Sequence, residues 1–276
     1  MKKITIVMIS LGSLLILGVL IFVNLSYTAL PYNKFNIIQH YAIKLLEKEM
    51  DDCVAKLPKE EQKVINYDEA INCLDPLMKR FTTRILAINP AELGFKGPFF
   101  SREPASDLIR IEAKEFDLGS VKIKTGINFL PRTVFEDYEK MNEAMKKDLG
   151  KGLFVNSGYR SPGYQAYLFL YYLGDENKYS LYENAKWIAM PGYSEHNSKN
   201  TAIDFISESG INGQAKGQTA EDFEKLPEYS WLVANAEKYN FYLTYPRDNS
   251  YGVGYESWHW HWEIKTPTPT LSSQEK

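Results

Sequence analysis

Cysteine, histidine and clustered basic residues are all scarce in this chain of 276 residues. It contains two cysteines and four histidines, and its formal net charge is −3. This charge balance argues against an electrostatic nucleic-acid binder. No run of lysine and arginine occurs in the sequence, which argues against a polybasic module that binds membrane surfaces. The chain also has no internal repeat, so we expect one well-packed domain with additional segments.

The first 30 residues contain a long apolar run. Lys2 and Lys3 precede the segment 4–25, which is long enough as a helix to span the hydrocarbon core of a membrane. The lysines favour an N-terminus that stays in the cytoplasm. A cleavable secretory signal is the alternative, but Tyr27 stands where its cleavage site requires a small residue. We therefore predict an uncleaved signal anchor over 1–30 that crosses the cytoplasmic membrane once and leaves the rest of the chain periplasmic.

The two cysteines, Cys53 and Cys73, are too few to complete a structural zinc site. Each lies on a predicted helix, and two thiols in an exported protein are typical of one disulfide. Two free buried thiols are the alternative. No cysteine follows the apolar run at the N-terminus, so a lipoprotein anchor is excluded.

Residues 31–106 are predicted to form a helical spacer subdomain. Apolar residues recur at helix spacing over 34–57, and the pattern predicts a helix that Pro58 ends. A second helix is predicted over 68–88. The stretch 91–106 contains glycines and prolines typical of a connecting loop. The spacer has no cluster of catalytic residue types.

From residue 107 onward, short strand patterns alternate irregularly with helix patterns. Strands are predicted at 108–111, 121–123, 153–155, 241–244 and 258–263, and helices at 133–147, 165–173 and 228–239. This order predicts an α+β domain over 107–265, with a small, largely antiparallel sheet flanked by helices. The tail 266–276 is polar and rich in proline, and we predict that it is disordered.

Three of the four histidines stand in two short segments that also contain carboxylates. A catalytic zinc ion takes about three nitrogen or oxygen ligands from the protein and leaves one position open. His196, Asp204 and His259 supply such a set, and Glu256 is a candidate general base. In a strand, His259 and His261 share one face. His261 is therefore an alternative third ligand, a partner that orients a ligand, or a proton donor.

These segments belong to three motifs that resemble those of the VanY-type D-alanyl-D-alanine carboxypeptidases. This zinc peptidase group also includes D,D-dipeptidases and the hedgehog signalling domain. The motifs, in chain order, are SGYRS at 157–161 followed by Gln165, SEH at 194–196 followed by AID at 202–204, and ESWH at 256–259. The resemblance covers about residues 126–265, and it implies a hedgehog/D,D-peptidase-like fold.

The resemblance also implies a role for each matching residue. One zinc ion per chain would be held by His196, Asp204 and His259, with His261 outside the ligand set. Glu256 would activate water and pass the proton to the departing amine. Arg160 would polarise the scissile carbonyl, a role that suits a fixed guanidinium. The residues that would line the substrate pocket are Ser157, Tyr159, Ser161, Gln165 and Ser194.

One spacing departs from the family's pattern. The family places its histidine and aspartate seven positions apart with a glycine between them, whereas His196 and Asp204 are eight positions apart. We interpret the difference as a one-residue insertion in a turn before the strand, which leaves the orientation of Asp204 unchanged. Asn200 is expected to supply the positive φ of the missing glycine. An insertion inside the strand would turn the carboxylate away from the site.

The resemblance implies a zinc-dependent carboxypeptidase that removes the C-terminal D-alanine from peptidoglycan stem peptides. An L,D-carboxypeptidase or a peptidoglycan endopeptidase of the same family is an alternative. A non-catalytic, zinc-containing module that binds wall peptides is another, and the altered spacing after His196 is the reason to consider it. The presence of Glu256 favours an enzyme.

Overall fold

The computed structural model describes residues 2–117, 119, 122–199 and 201–265, with the backbone alone described for residues 2–12. Asn200 and the tail 266–276, for which we predicted a positive φ and disorder, lie outside the described residues. The α-helices are α1 (Lys2–Tyr27), α2 (Ile37–Ala55), α3 (Tyr67–Asn72), α4 (Pro76–Leu86), α5 (Arg132–Leu149), α6 (Pro162–Tyr171), α7 (Leu181–Ala185), α8 (Ala220–Glu224) and α9 (Pro227–Asn235).

The described strands are short, and all of them follow residue 107. They are β1 (Leu108–Ile111), β2 (Glu115–Asp117), β3 (Lys122–Lys124), β4 (Asn128–Pro131), β5 (Leu153–Ser157), β6 (Ala202–Ser207), β7 (Phe241–Leu243) and β8 (His259–Trp262). Short 3₁₀ helices occur at Gln62–Val64, Pro90–Leu93 and Ala236–Tyr239. The sequence analysis did not predict β2 or β4.

The residues predicted as a signal anchor form helix α1. Across the part of the chain that the structure describes, no helix has both the length and the apolar character needed to cross a membrane, so the transmembrane helix predicted within residues 1–30 is not found.

Residues cluster into two compact units, and the first is helical. It comprises Met1–Ser106, Tyr159–Lys199 and Tyr245–Tyr255. Its core contains fully buried side chains from several helices, among them Ile43 of α2 and Phe169 of α6. The segment predicted as a separate spacer thus shares one hydrophobic core with α6, a helix that follows the first family motif.

The helix predicted over 68–88 is two helices in the structure, so that prediction is wrong. The side chain of Asp75 accepts hydrogen bonds from the backbone N–H groups of Leu77 and Met78, at 2.8 and 3.1 Å. Asp75 therefore caps α4, which begins at Pro76. Proline suits the first position of a helix, but within a helix it lacks the required N–H and its ring clashes with the preceding turn.

Cys53 of α2 and Cys73, which ends α3, form a disulfide. Their Cα atoms are 6.2 Å apart, and the cysteines are separated by 20 positions in the sequence. The bond closes a loop that contains the connection between the two helices. Such a crosslink stabilises the folded chain mainly by restricting the unfolded one.

The second unit contains the main sheet and has the predicted α+β architecture. Its four strands are arranged in the order β5-β6-β8-β7, and every neighbouring pair is antiparallel. The pairs β1-β4 and β2-β3 form two small antiparallel sheets. Helix α5 contributes Met141 and Met145 to the core that also contains Phe205 of β6. This packing fixes the central strand β6 from which the functional site is built.

Candidate metal centre

Asp204 is a carboxylate within a strand that is buried at all six positions. Its side chain lies opposite His259, because the register of β6 and β8 pairs the two residues directly. The Oδ1 atom of Asp204 is 2.9 Å from Nδ1 of His259. Directly paired residues in an antiparallel sheet point their side chains to the same face. The sheet register therefore brings two of the predicted ligands together.

His196 lies in a loop that its own hydrogen bonds hold in place. Its backbone N–H donates to Oγ of Ser194 at 3.2 Å, and its carbonyl accepts from the N–H of Arg160 at 2.8 Å. The side-chain amide of Asn197 donates to the Ser194 carbonyl at 2.9 Å. The imidazole is only 3% exposed. The loop thus presents a buried histidine whose position does not depend on a regular element.

His196, Asp204 and His259 each contribute one possible ligand atom, and these three atoms all lie within 4.8 Å of one another. Zinc binds histidine nitrogen and carboxylate oxygen at about 2.0–2.2 Å, so a tetrahedral ion holds neighbouring ligand atoms about 3.3 Å apart. The limit of 4.8 Å observed here is of the same order. Two imidazoles and one carboxylate are also a donor set that zinc favours. The three residues fit a metal ion with three protein ligands.

Glu256 lies next to this group. Its Oε2 atom is 3.6 Å from Nδ1 of His259, and its side chain is 14% exposed. The backbone carbonyl of Glu256 also accepts a hydrogen bond from the His259 N–H at 3.3 Å. A carboxylate that lies beside a candidate metal ligand and still reaches solvent can take a proton from water.

His261 is directed to a different partner. Its Nδ1 atom is 2.6 Å from Oγ1 of Thr244, and its ring lies against that of Tyr242. Its Nε2 atom is 3.6 Å from a carboxylate oxygen of Glu263. Among the described residues, the group of possible metal ligands contains His259 and not His261.

Three of the predicted site residues, Arg160, Gln165 and Ser194, line one cleft. The cleft is narrow and partly open to solvent. Its other lining residues are Ser101, Glu103, Pro162, Gly192 and Asn197. The cleft therefore carries one guanidinium, one carboxylate and several neutral polar groups.

Among the described residues, the side-chain amide of Gln165 has a hydrogen-bond partner for its nitrogen but none for its oxygen. Its Nε2 donates to the carbonyl of Ala189 at 2.7 Å, which fixes the orientation of the amide. Its Oε1 is buried and has no hydrogen-bond partner among the described residues. Leaving a buried acceptor unpaired costs about 1–3 kcal/mol. Gln165 also lines the cleft.

The other three residues predicted to line the pocket do not line this cleft. Tyr159 is 1% exposed, and its hydroxyl accepts the N–H of Ala105 at 2.9 Å. The hydroxyl of Ser161 donates to the carbonyl of Ile65 at 2.7 Å and accepts the N–H of Tyr164, so it caps α6. Ser157 lies on β5 in register with Asp204. Tyr159 and Ser161 thus support the backbone on either side of Arg160.

Among the cleft residues that the sequence analysis did not predict are Ser101 and Glu103. Both lie in the stretch 91–106, which was interpreted as a connecting loop. No local periodicity marks a residue that reaches a cleft from a loop. The S-x-E spacing, in which Oγ of Ser101 accepts the N–H of Glu103, is too common to identify a site by itself.

Comparison with known proteins places the site in a family. The family model of VanY, described as D-alanyl-D-alanine carboxypeptidase, matches residues 128–265. A D-alanyl-D-alanine carboxypeptidase of Enterococcus faecium is 27% identical over 168 residues, which cover 59% of this chain and 47% of that relative. The chain thus spans about half the length of this curated relative.

Two solved structures are also similar. The LD-carboxypeptidase LdcB, solved in a study of peptidoglycan recognition, is 27% identical with a TM-score of 0.44, over 59% of this chain and 71% of that one. A VanY D,D-pentapeptidase from a VanB-type resistance cassette, solved with Zn(II), is 25% identical with a TM-score of 0.37. The match covers 49% of this chain and 73% of that one.

Proposed function

The chain belongs to the VanY family of D-alanyl-D-alanine carboxypeptidases, and from this premise we propose that it is a zinc-dependent enzyme that removes the C-terminal D-alanine from peptidoglycan stem peptides. The observation that carries the proposal is the convergence of three buried ligand atoms, from His196, Asp204 and His259, within 4.8 Å of one another. The family match covers each of these residues.

Two neutral imidazoles and one carboxylate would hold the ion and leave it a net positive charge. When bound, zinc supplies a Lewis acid that polarises the scissile carbonyl and lowers the pKa of water. The pairing of Asp204 with His259 prearranges the two ligands, so little side-chain entropy is lost when the ion binds. The remaining steps belong to the protein's own side chains.

Glu256 is the proposed general base. Its carboxylate takes a proton from the attacking water as the new carbon–oxygen bond forms at the scissile carbonyl. The carbon–nitrogen bond then breaks, and Glu256 returns the proton to the nitrogen of the departing D-alanine. The hydrogen bond from the His259 N–H to its carbonyl holds the residue beside the ligand group throughout this cycle.

Arg160 and Gln165 are proposed to hold the peptide. The backbone N–H of Arg160 is bonded to the carbonyl of His196, which fixes the base of its side chain. Its guanidinium would stabilise the negative charge that develops on the scissile carbonyl oxygen. The unpaired Oε1 of Gln165 would accept an N–H of the peptide backbone.

The test uses the full chain with three synthetic substrates: a stem pentapeptide that ends in D-Ala-D-Ala, the tetrapeptide that ends in one D-Ala, and a crosslinked dimer of stem peptides. Mass spectrometry follows the products with zinc, with a chelator, and with the Glu256→Gln variant. We expect chelator-sensitive loss of one alanine from the pentapeptide and none in the variant.

Other outcomes of this assay identify the alternative functions. Shortening of the tetrapeptide alone would indicate an L,D-carboxypeptidase, and cleavage within a crosslinked dimer would indicate an endopeptidase. One zinc ion per chain with no hydrolysis of any of these substrates would indicate a non-catalytic module that binds wall peptides.

We also propose that the enzyme acts outside the cytoplasm, in the periplasmic space. The disulfide between Cys53 and Cys73 supports this location, since disulfides persist mainly in oxidising compartments. Attachment to the cytoplasmic membrane through residues 1–30 stays a prediction. Fractionation of cells that express the full chain, followed by protease treatment of intact spheroplasts, checks the location and the attachment separately.

A further inference from the structure

Part of the cleft wall comes from a segment outside the family match. Ser101 and Glu103 line the cleft together with Arg160 and Gln165, whereas the family match begins at residue 128. These two residues are therefore a feature of this chain's own N-terminal part. Any substrate preference that these two residues confer is therefore additional to the preference that the residues of the family motifs confer.

Hydrogen bonds hold the 99–105 segment in place on both sides of Glu103. The N–H of Phe100 donates to the carbonyl of Gly192 at 2.8 Å, and Nε of Arg102 donates to the carbonyl of Pro191 at 3.2 Å. On the other side, the N–H of Ala105 donates to the hydroxyl of Tyr159 at 2.9 Å. The backbone of Glu103 is thus fixed relative to the cleft.

Close packing at Gly192 supports the same segment. Gly192 has a φ of +91°, and a Cβ atom there would lie 2.5 Å from the ring of Phe99 and 2.9 Å from Cγ of Arg102. Only glycine allows this approach at such a backbone angle. The 99–105 segment therefore packs directly against the backbone of another residue that lines the cleft.

The carboxylate of Glu103 is available to a ligand. Its own backbone N–H is bonded to Oγ of Ser101 at 2.9 Å, and Ser101 is buried. Within the described ranges of the chain, the carboxylate of Glu103 takes part in no hydrogen bond or ion pair. The cleft is thus lined both by the carboxylate of Glu103 and by Arg160.

We infer that Glu103 forms a subsite for a primary ammonium group, and that it gives the enzyme a preference for peptides with a free side-chain amine. This inference rests on the proposed function. An ammonium group donates charge-assisted hydrogen bonds to a carboxylate, which are about twice as strong as bonds between neutral groups. Arg160 repels the ammonium group from its own position and attracts the carbonyl or carboxylate end, so the two charges also orient the peptide.

The test compares two pentapeptides that end in D-Ala-D-Ala and differ only at their lysine, which is free in one and ε-N-acetylated in the other. For the wild-type full chain we expect a kcat/KM about 10-fold higher for the free amine, mainly through a lower KM. Glu103→Gln is expected to bring this ratio close to one, because the amide carries no charge that attracts the ammonium group. Glu60→Gln, an exposed glutamate that does not line the cleft, should keep the ratio.

Equal cleavage of the two peptides by the wild type, or an unchanged preference in Glu103→Gln, would overturn the inference and leave the proposed function intact. If the wild type cleaves neither peptide, the proposed function fails. Equilibrium binding of the same two peptides to the wild type and to Glu103→Gln then tests the subsite by itself. Tighter binding of the free amine that is lost in Glu103→Gln would support the subsite, and equal binding would reject it. Thermal melting of the variant verifies that it is folded.

Discussion

Nδ1 of His259 lies 2.9 Å from Oδ1 of Asp204, between two residues that pair directly across strands β8 and β6. Both side chains are at most 3% exposed. A buried carboxylate is costly unless a hydrogen bond or a cation compensates for its lost hydration. His259 supplies the hydrogen bond. A metal ion that His196 also binds would supply the cation. Substitution of a member of this pair is therefore the most sensitive test of the site.

Replacing Asp204 should abolish metal binding without unfolding the protein. Asp204→Asn keeps the shape of the side chain and an oxygen near His259, but it removes the negative charge that the metal requires. We expect the affinity for zinc to fall by at least about 100-fold. Titration calorimetry and elemental analysis measure the loss. The exposed Asp248→Asn is the matched control, and full zinc occupancy in Asp204→Asn would contradict the assignment.

Replacing Glu256 should separate metal binding from turnover. Glu256→Gln preserves the size of the side chain and removes the base, so we expect kcat to fall by about 10²- to 10⁴-fold. Because Glu256 is not a member of the ligand group, zinc content should stay at the wild-type level. A variant that retains wild-type kcat would show that another group activates the water.

Breaking the disulfide should lower the free energy of unfolding by about 3 kcal/mol, the entropic value for a closed loop of about 20 residues. The variant is Cys53→Ala with Cys73→Ala, and urea denaturation under non-reducing conditions measures the change. Treating the wild type with a reductant is the matched control, since it should shift the transition to the same midpoint. The prediction fails if the oxidised wild type and the double variant unfold at the same urea concentration.

The stability of the helical unit should fall as the pH rises through neutrality because of Glu47. Burial, and next the nearby charge of Asp175, raises the pKa of this carboxyl from 4.5 to about 7, while Lys44 opposes the shift. A carboxyl with a raised pKa in the folded state binds its proton more tightly there than in the unfolded chain. Its stabilising contribution is therefore complete below pH 4.5 and is lost as the pH rises through about 7.

The loss should be on the order of 1 kcal/mol, because Glu47 is only half-buried and solvent screens its charge. Urea denaturation at pH 5 and pH 8 measures it in the wild type and in Glu47→Gln, which has no proton to lose. We expect the variant to show a smaller decrease between the two pH values, and Glu60→Gln to behave as the wild type does. An equal decrease in wild type and Glu47→Gln would assign the effect to another group.

The elements that the sequence predicted well are those with a clear local pattern. Helices α2 and α5 have apolar residues at helix spacing, and the strands around Leu153 and His259 are short apolar segments bounded by turns. The break at Pro76 was also visible locally, because proline cannot continue a helix. Strand β2 contains a single apolar residue, Phe116, between two acidic ones, and it was not predicted.

The sequence by itself determined which residue types are available for a metal site, because the motifs are contiguous and the chemistry of histidine and carboxylate is fixed. The tertiary structure decided which of them meet. The register of β6 against β8 places His259 opposite Asp204, while His261 contacts Thr244 instead. Packing between distant segments brings Glu103 to the cleft. Strand register and loop packing depend on contacts between residues far apart in the chain, and such contacts leave no periodic signal in the sequence.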